Sequence, residues 1–303
     1  MRFIMSGFLG FCAAAAVSLA TGTAASAASG RLTIESGGVK RTAFIVEHAR
    51  LKRARRPVIV VLHGQAGLGV RVRRYLGIES ALRSQSVVTV YPDAIAGHWD
   101  VSETGGDRDL KFIHDLIARL EADGVADPRR VYIVGSATGG IVAMRLACRD
   151  AGSFAGAASL ISLMPASDAA ACKPSRPIPF FLLAGTADPK VPFNGGKAGL
   201  IEYKGDVVSA QATLAPFVAA AGCSDKSNVV EAPDRDKNDG SRVQIEFPAG
   251  CKALIELVKV DGGGHTLPGH RRALDRGLAV GAHNGDVDTA RLIVDFLRRA
   301  RGG

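Results

Sequence analysis

The segment that most restricts what this chain can fold into lies near its middle. The apolar run Val131-Tyr132-Ile133-Val134 passes into Gly135-Ser136-Ala137-Thr138-Gly139-Gly140, and Gly140 to Cys148 reads as a helix. A buried strand, a tight glycine-flanked turn and a close-packed helix form the context of a nucleophile elbow, Gly-x-Ser-x-Gly. Glycines flank the centre because the turn is strained and the helix starts against the sheet. That helix start also offers backbone N–H groups to an oxyanion. The central position holds Ala137, so the hydroxyl of the motif is missing. Ser136 and Thr138 are the neighbouring hydroxyls. Adjacent side chains on a tight turn diverge, so each is expected to point away from the tip.

Around this turn, apolar strands alternate with amphipathic helices. Arg31 to Ile34 and Thr42 to Val46 read as opening strands. Pro57 to Leu62 is a continuous apolar run, as expected of a strand buried on both faces, and Ser86 to Tyr91 is another. Asp109 to Ala122 carries Leu110, Ile113, Ile117 and Leu120 at helical spacing and stops at Gly124. Ile178 to Leu183 and Leu254 to Val260 read as strands, and Val207 to Ala221 and Val287 to Arg299 as helices. No repeat or Pro/Ser/Thr-rich linker interrupts the series. Repeated strand–helix alternation implies a mainly parallel sheet with helices on both faces. Such sheets bind ligands at the carboxyl ends of their strands.

The candidate chemistry falls just after strands. Ile178 to Leu183 leads into Ala184-Gly185-Thr186-Ala187-Asp188-Pro189, where Asp188 is placed to orient a histidine. The strand ending at Val260 leads into Gly262-Gly263-Gly264-His265, where His265 is placed as a general base. Taken singly, these are an Asp-Pro turn and a loop histidine. Together with the elbow they give the chain order of the α/β-hydrolase fold. The run Pro57 to Leu62 ends in His63-Gly64-Gln65, so the N–H groups of Gln65 and Thr138 are the expected oxyanion hole. His63 itself reads as structural. His98, His114 and His270 have no metal-ligand spacing, and no metal or cofactor is expected.

The amino end has a short positive region, an apolar stretch from Ile4 to Ala20 and an Ala25-Ser26-Ala27 site. Residues 1–27 therefore read as a signal peptide and 28–303 as a single domain, secreted or periplasmic, with no stable membrane insertion after cleavage. About 276 residues suit one large α/β domain. The net charge of +9 includes a dense basic run, Arg50, Lys52, Arg53, Arg55 and Arg56. Without interleaved aromatics or a nucleic-acid motif, this run reads as a solvated loop and implies no nucleic-acid partner. Cys148, Cys172, Cys223 and Cys251 remain after cleavage, an even count that suggests two disulfides. Three pairings are open. Pairs 148–172 and 223–251 are favoured because each closes a short loop.

These residues resemble the family of secreted polyhydroxybutyrate depolymerases, feruloyl esterases and acetylxylan esterases. The resemblance covers Pro57 to Gly64, Tyr91-Pro92-Asp93, Gly97-His98-Trp99, Asp127 to Tyr132, Arg145 to Cys148, and the Asp188 and His265 loops. It implies hydrolysis of polyester, acetyl or hydroxycinnamoyl esters, and a disulfide at Cys223 and Cys251. Leu267 and Gln65 depart from residues frequent in the family, as does Ala137. The leading expectation is a degenerate carboxylic ester hydrolase that keeps its Asp–His pair and ligand pocket. Its ligand would be a small ester, aryl ester or polyester-derived molecule. The alternatives are an active ester hydrolase with a displaced nucleophile or His-activated water, and a non-catalytic exported binding protein.

Overall fold

The computed structural model describes residues 29–48, 55–64, 67–82, 85–103, 105–269 and 279–300. The expected signal peptide, Gln65, His270 and most of the basic run lie outside the described residues. Strands β1 (Ser29–Ser36) and β2 (Val39–Glu47) form a hairpin around the positive-φ pair Gly37 and Gly38. Strand β3 (Arg56–Leu62) follows, buried along its whole length. Helices α1 (Gly69–Leu76) and α2 (Ile78–Ala81) meet at Gly77, whose left-handed φ of 60° turns the chain between them. Next come β4 (Val88–Pro92), α3 (Asp107–Ala122), β5 (Ala126–Ser136), α4 (Thr138–Arg149), β6 (Gly156–Leu160), α5 (Ala166–Ala169) and β7 (Phe180–Gly185). A small hairpin of β8 (Gly196–Lys197) and β9 (Asp206–Val207) precedes α6 (Ala210–Ala221). The chain ends with β10 (Ser227–Glu231), β11 (Arg242–Pro248), β12 (Ile255–Asp261) and α7 (Thr289–Arg299).

Ten strands form one sheet in the order β1-β2-β4-β3-β5-β6-β7-β12-β11-β10. The middle six, β4 to β12, run parallel, with antiparallel hairpins at both edges. This is the α/β-hydrolase fold. Side chains alternate across a strand, and β3 supplies both layers accordingly. Val58, Val60 and Leu62 pack with Phe112, Leu116, Ile141 and Phe217 from α3, α4 and α6. Ile59 and Val61 pack with Val72, Leu76, Ile293 and Phe296 from α1 and α7. Helices thus cover both faces, which is why the central strands read as unbroken apolar runs.

Some elements differ from expectation. Helix α4 begins at Thr138, two residues before the expected start, because α-helical backbone follows Ala137 directly. Helix α6 begins at Ala210, after the Ser209 side chain has accepted the Ala212 N–H, so Val207 lies in β9 instead. Strand β6, Gly156-Ala157-Ala158-Ser159-Leu160, had no sequence signal. Its small residues lack β-branching, and the neighbours β5 and β7 hold it in place. Inside the first layer, Arg41 on β2 reaches Asp109 on α3 at 2.8 Å, with its guanidinium 3.9 Å from the centre of the Phe112 ring. Both disulfides form as favoured, Cys148–Cys172 and Cys223–Cys251. No helix among the described residues is long and apolar enough to cross a membrane.

Candidate active site

Strand β5 delivers the chain into a turn centred on Ala137. This residue has φ 49° and ψ −119°, a region that a residue with a Cβ rarely occupies. Two hydrogen bonds hold it there. The Ala137 N–H donates to Leu160 O at 3.0 Å, and Ala137 O accepts the Gly140 N–H at 2.8 Å. The flanking glycines are required by close approach. A Cβ on Gly135 would lie 2.0 Å from Gly139 O, and one on Gly139 would lie 2.5 Å from His63 O. The elbow backbone is therefore complete although its tip carries only a methyl group.

Two hydroxyls, those of Ser136 and Thr138, flank the tip. Ser136 and Thr138 are both buried, and Thr138 Oγ1 has no hydrogen-bond partner among the described residues. Ala137 itself is also buried, so the three positions are distinguished by the backbone, whose positive-φ tip is Ala137.

The loop after β3 comes down beside the elbow. A Cβ built on Gly64 would lie 3.2 Å from the Ala137 Cβ. His63 sets the loop's course. Its Nε2 accepts the Ala94 N–H at 3.1 Å, which leaves Nδ1 to donate to Gly64 O at 2.7 Å. Burial holds the His63 pKa below its ordinary value, in keeping with a neutral ring wired between two backbone groups. His63 O accepts the Trp99 Nε1–H at 2.8 Å. His63 is thus a structural residue. The other expected oxyanion donor, Thr138 N, stands at the first position of α4.

The Asp188 and His265 loops leave the adjacent parallel strands β7 and β12. Backbone bonds join them: the Ala187 N–H donates to Gly263 O, and the Gly262 N–H to Thr186 Oγ1. Asp188 Oδ1 accepts the N–H groups of Lys190 and Val191 at 2.7 and 2.9 Å. Its Oδ2 lies 2.8 Å from His265 Nδ1, with side-chain exposures of only 2% for Asp188 and 9% for His265. A carboxylate only accepts, so Nδ1 carries a proton, and in the neutral ring the lone pair is on Nε2. That is the orientation in which a histidine serves as a general base. The elbow, the acid and the histidine all follow strands whose carboxyl ends share one edge of the sheet.

The buried Arg145 enters the sequence reading only through the family resemblance, and its partners are not legible there. Arg145 on α4 forms a two-pronged contact with Asp168, 2.7 and 3.4 Å to its two oxygens. It also donates to Ser102 O at 3.0 Å, fastening the loop after Trp99 to α4. Its partners are 23 and 43 residues away in sequence, so no local pattern announces them. Among the described residues, no three His, Cys, Asp or Glu side chains converge as metal ligands.

Comparison with known proteins supplies the family. "Putative esterase NocK" of Nocardia uniformis subsp. tsuyamanensis is 31% identical over 257 residues, covering 80% of this chain and 74% of NocK. The chain belongs to this esterase family. "Probable feruloyl esterase C" of Aspergillus clavatus is 26% identical over 201 residues, 66% of this esterase-family chain and 64% of the fungal protein. The chain therefore spans slightly less than two thirds of that relative. Among solved structures, the acetyl xylan esterase from Aspergillus awamori superposes with a TM-score of 0.56. It covers 78% of this chain and 94% of its own at 13% identity, a likeness of fold. No profile of a known protein family matches the chain.

Proposed function

We propose that this member of the esterase family is a degenerate carboxylic ester hydrolase, which binds an ester at the carboxyl edge of the sheet without efficient turnover. The observation that carries the reading is Ala137. It keeps the strained elbow backbone but offers no nucleophile, while Asp188 and His265 keep the geometry of an acid–base pair. In this reading Asp188 orients His265. The N–H groups of Gln65 and Thr138 receive the ester carbonyl oxygen, and the ligand sits where acyl transfer would occur. Relatives named as feruloyl esterases favour an aryl ester as ligand. The disulfides fit an oxidising compartment and support export.

Losing the nucleophile of a triad costs on the order of 10⁶ in turnover, and what is left comes from the oxyanion hole and binding. The test is hydrolysis of p-nitrophenyl acetate and butyrate by wild type, Ala137→Ser, and the double variant Ala137→Ser/His265→Ala. Wild type is expected to be near background, Ala137→Ser active, and the double variant inactive again. Clear wild-type hydrolysis that vanishes in His265→Ala would replace this reading with a His-activated water mechanism. No activity in Ala137→Ser together with no ester binding would favour an exported binding protein that uses another surface.

A further inference from the structure

A second histidine–carboxylate contact lies at the same edge of the sheet. His98 follows β4, and Glu202 lies between β8 and β9, beyond the acid loop of β7. The order β4-β3-β5-β6-β7 places three strands between those two origins. His98 Nδ1 and Glu202 Oε1 are nevertheless 2.7 Å apart. The two loops therefore reach each other across the span of edge that carries the elbow. The His98 side is tied to the oxyanion loop, because Trp99 donates to His63 O and the Gly67 N–H donates to Gly97 O at 3.2 Å. His63 and Gly64 are the residues that pack against the elbow.

Exposed apolar residues follow or precede, along the chain, the residues that make these contacts. Leu68, next to Gly67, is 39% exposed, and Ile201, next to Glu202, is 60% exposed. Their neighbours Leu200 and Tyr203 are buried, so the segment is anchored while Ile201 projects. The other exposed large apolar residues among those described, Val39, Val229 and Val230, belong to the hairpins at the far edges of the sheet. Exposed apolar side chains on segments beside a candidate site are places where a ligand's apolar part can be buried.

We propose that Leu68, Ile201 and the His98–Glu202 bridge form a lip that takes the aryl or other bulky apolar group of an uncharged ester. The bridge sets the spacing of the lip, and the two aliphatic side chains supply its contact area. The inference rests on the reading that the edge around Ala137 binds esters, and it adds which part of the ligand lies where.

The experiment is titration of methyl ferulate into the full chain, followed by calorimetry and by quenching of Trp99, its one tryptophan. Wild type is expected to bind. Leu68→Ser and Ile201→Ser should each raise Kd about tenfold, the effect of losing part of one aliphatic contact. Glu202→Ala should weaken binding similarly, and Glu202→Gln, which can still accept from His98, should restore most of it. Val229→Ser, the same kind of change on the distant strand β10, should leave Kd unchanged. An unchanged circular dichroism spectrum and Tm confirm that each variant is folded. If wild type binds and the lip variants bind equally well, the lip is wrong and the pocket reading stands. If wild type does not bind, the pocket reading fails and the lip fails with it.

Discussion

The elbow and the Asp188–His265 loops, three strands apart at most in one sheet, are built from opposite things. The elbow has a strained backbone with only a methyl group at its tip. The acid and histidine loops hold two polar side chains in register, 2.8 Å apart. The difference teaches which forces maintain each part. The elbow conformation is held by packing and backbone hydrogen bonds, namely Gly135 against Gly139, Gly139 against the end of β3, and Ala137 N–H to Leu160 O. None of these involves a side chain at the tip, so the strained geometry forms with alanine there. The acid–histidine pair depends on the side chains themselves. A buried Asp188 also satisfies two backbone N–H groups, so it stabilises the loop whether or not a nucleophile is present.

The sharpest way to break this comparison is to return the missing atom. Ala137→Ser should raise kcat/KM for p-nitrophenyl acetate by about 10⁴-fold or more, if the elbow is still shaped for a nucleophile. An increase below tenfold would mean that the backbone has been kept for packing alone. Next in size is Gly139→Ala. Its Cβ would press on His63 O and Leu62 O, both backbone atoms that cannot swing aside. Denaturant titration should show a loss of about 3 kcal/mol or failure to fold, and a loss under 1 kcal/mol would contradict packing control of the elbow.

Asp188→Ala should cost about 2 kcal/mol, since it orphans two N–H groups and a histidine in a largely buried site. An equal stability for wild type and variant would show that the pair is retained for ligand chemistry only. Ala137→Gly works in the opposite direction. Relief of a positive φ should stabilise the protein by about 1 kcal/mol, less the extra freedom of glycine in the unfolded chain. A destabilised Ala137→Gly variant would show that the methyl group's packing outweighs the strain.

The smallest effect is a pH dependence from the oxyanion side. Burial lowers the His63 pKa in the folded protein below its ordinary value of 6.5. The unfolded chain therefore binds the proton more readily. The contribution of neutral His63 is complete above about pH 6.5 and is lost as pH falls from there toward the folded pKa. Tm should fall on acidification through that window, with a shallower slope in His63→Gln. An identical slope in the variant would assign the loss to another group, such as His48, whose pKa burial also lowers.

The parts of the site legible in sequence are those whose signal is local. A strand, a glycine-bracketed turn and a helix occur within eighteen residues, so the elbow and its alanine could be read directly. Asp188 and His265 each follow an apolar run and stand among turn residues. Strand β6 was invisible because its alanines and glycine carry no strand preference of their own. The edge strand β10 carries no signal for another reason: it is exposed throughout and lacks apolar alternation. Strand β11 does alternate, with Val243, Ile245 and Phe247 between Arg242, Gln244 and Glu246, a local signal that the sequence reading leaves unused. Arg145 was noticed only as part of a resemblance, because its partners come from other segments.

By itself, the sequence determined the alternation of elements, the chain order of elbow, acid and histidine, and the absence of a hydroxyl at residue 137. All are properties of short windows, where apolar period, glycine and proline act on neighbouring residues. Only the tertiary structure decided that Asp188 meets His265, that Ser136 and Thr138 are buried, and that His98 reaches Glu202 over the strands between them. Those outcomes depend on which strands become neighbours. Burial and hydrogen bonding between distant segments set that order, and no single window of the chain contains them.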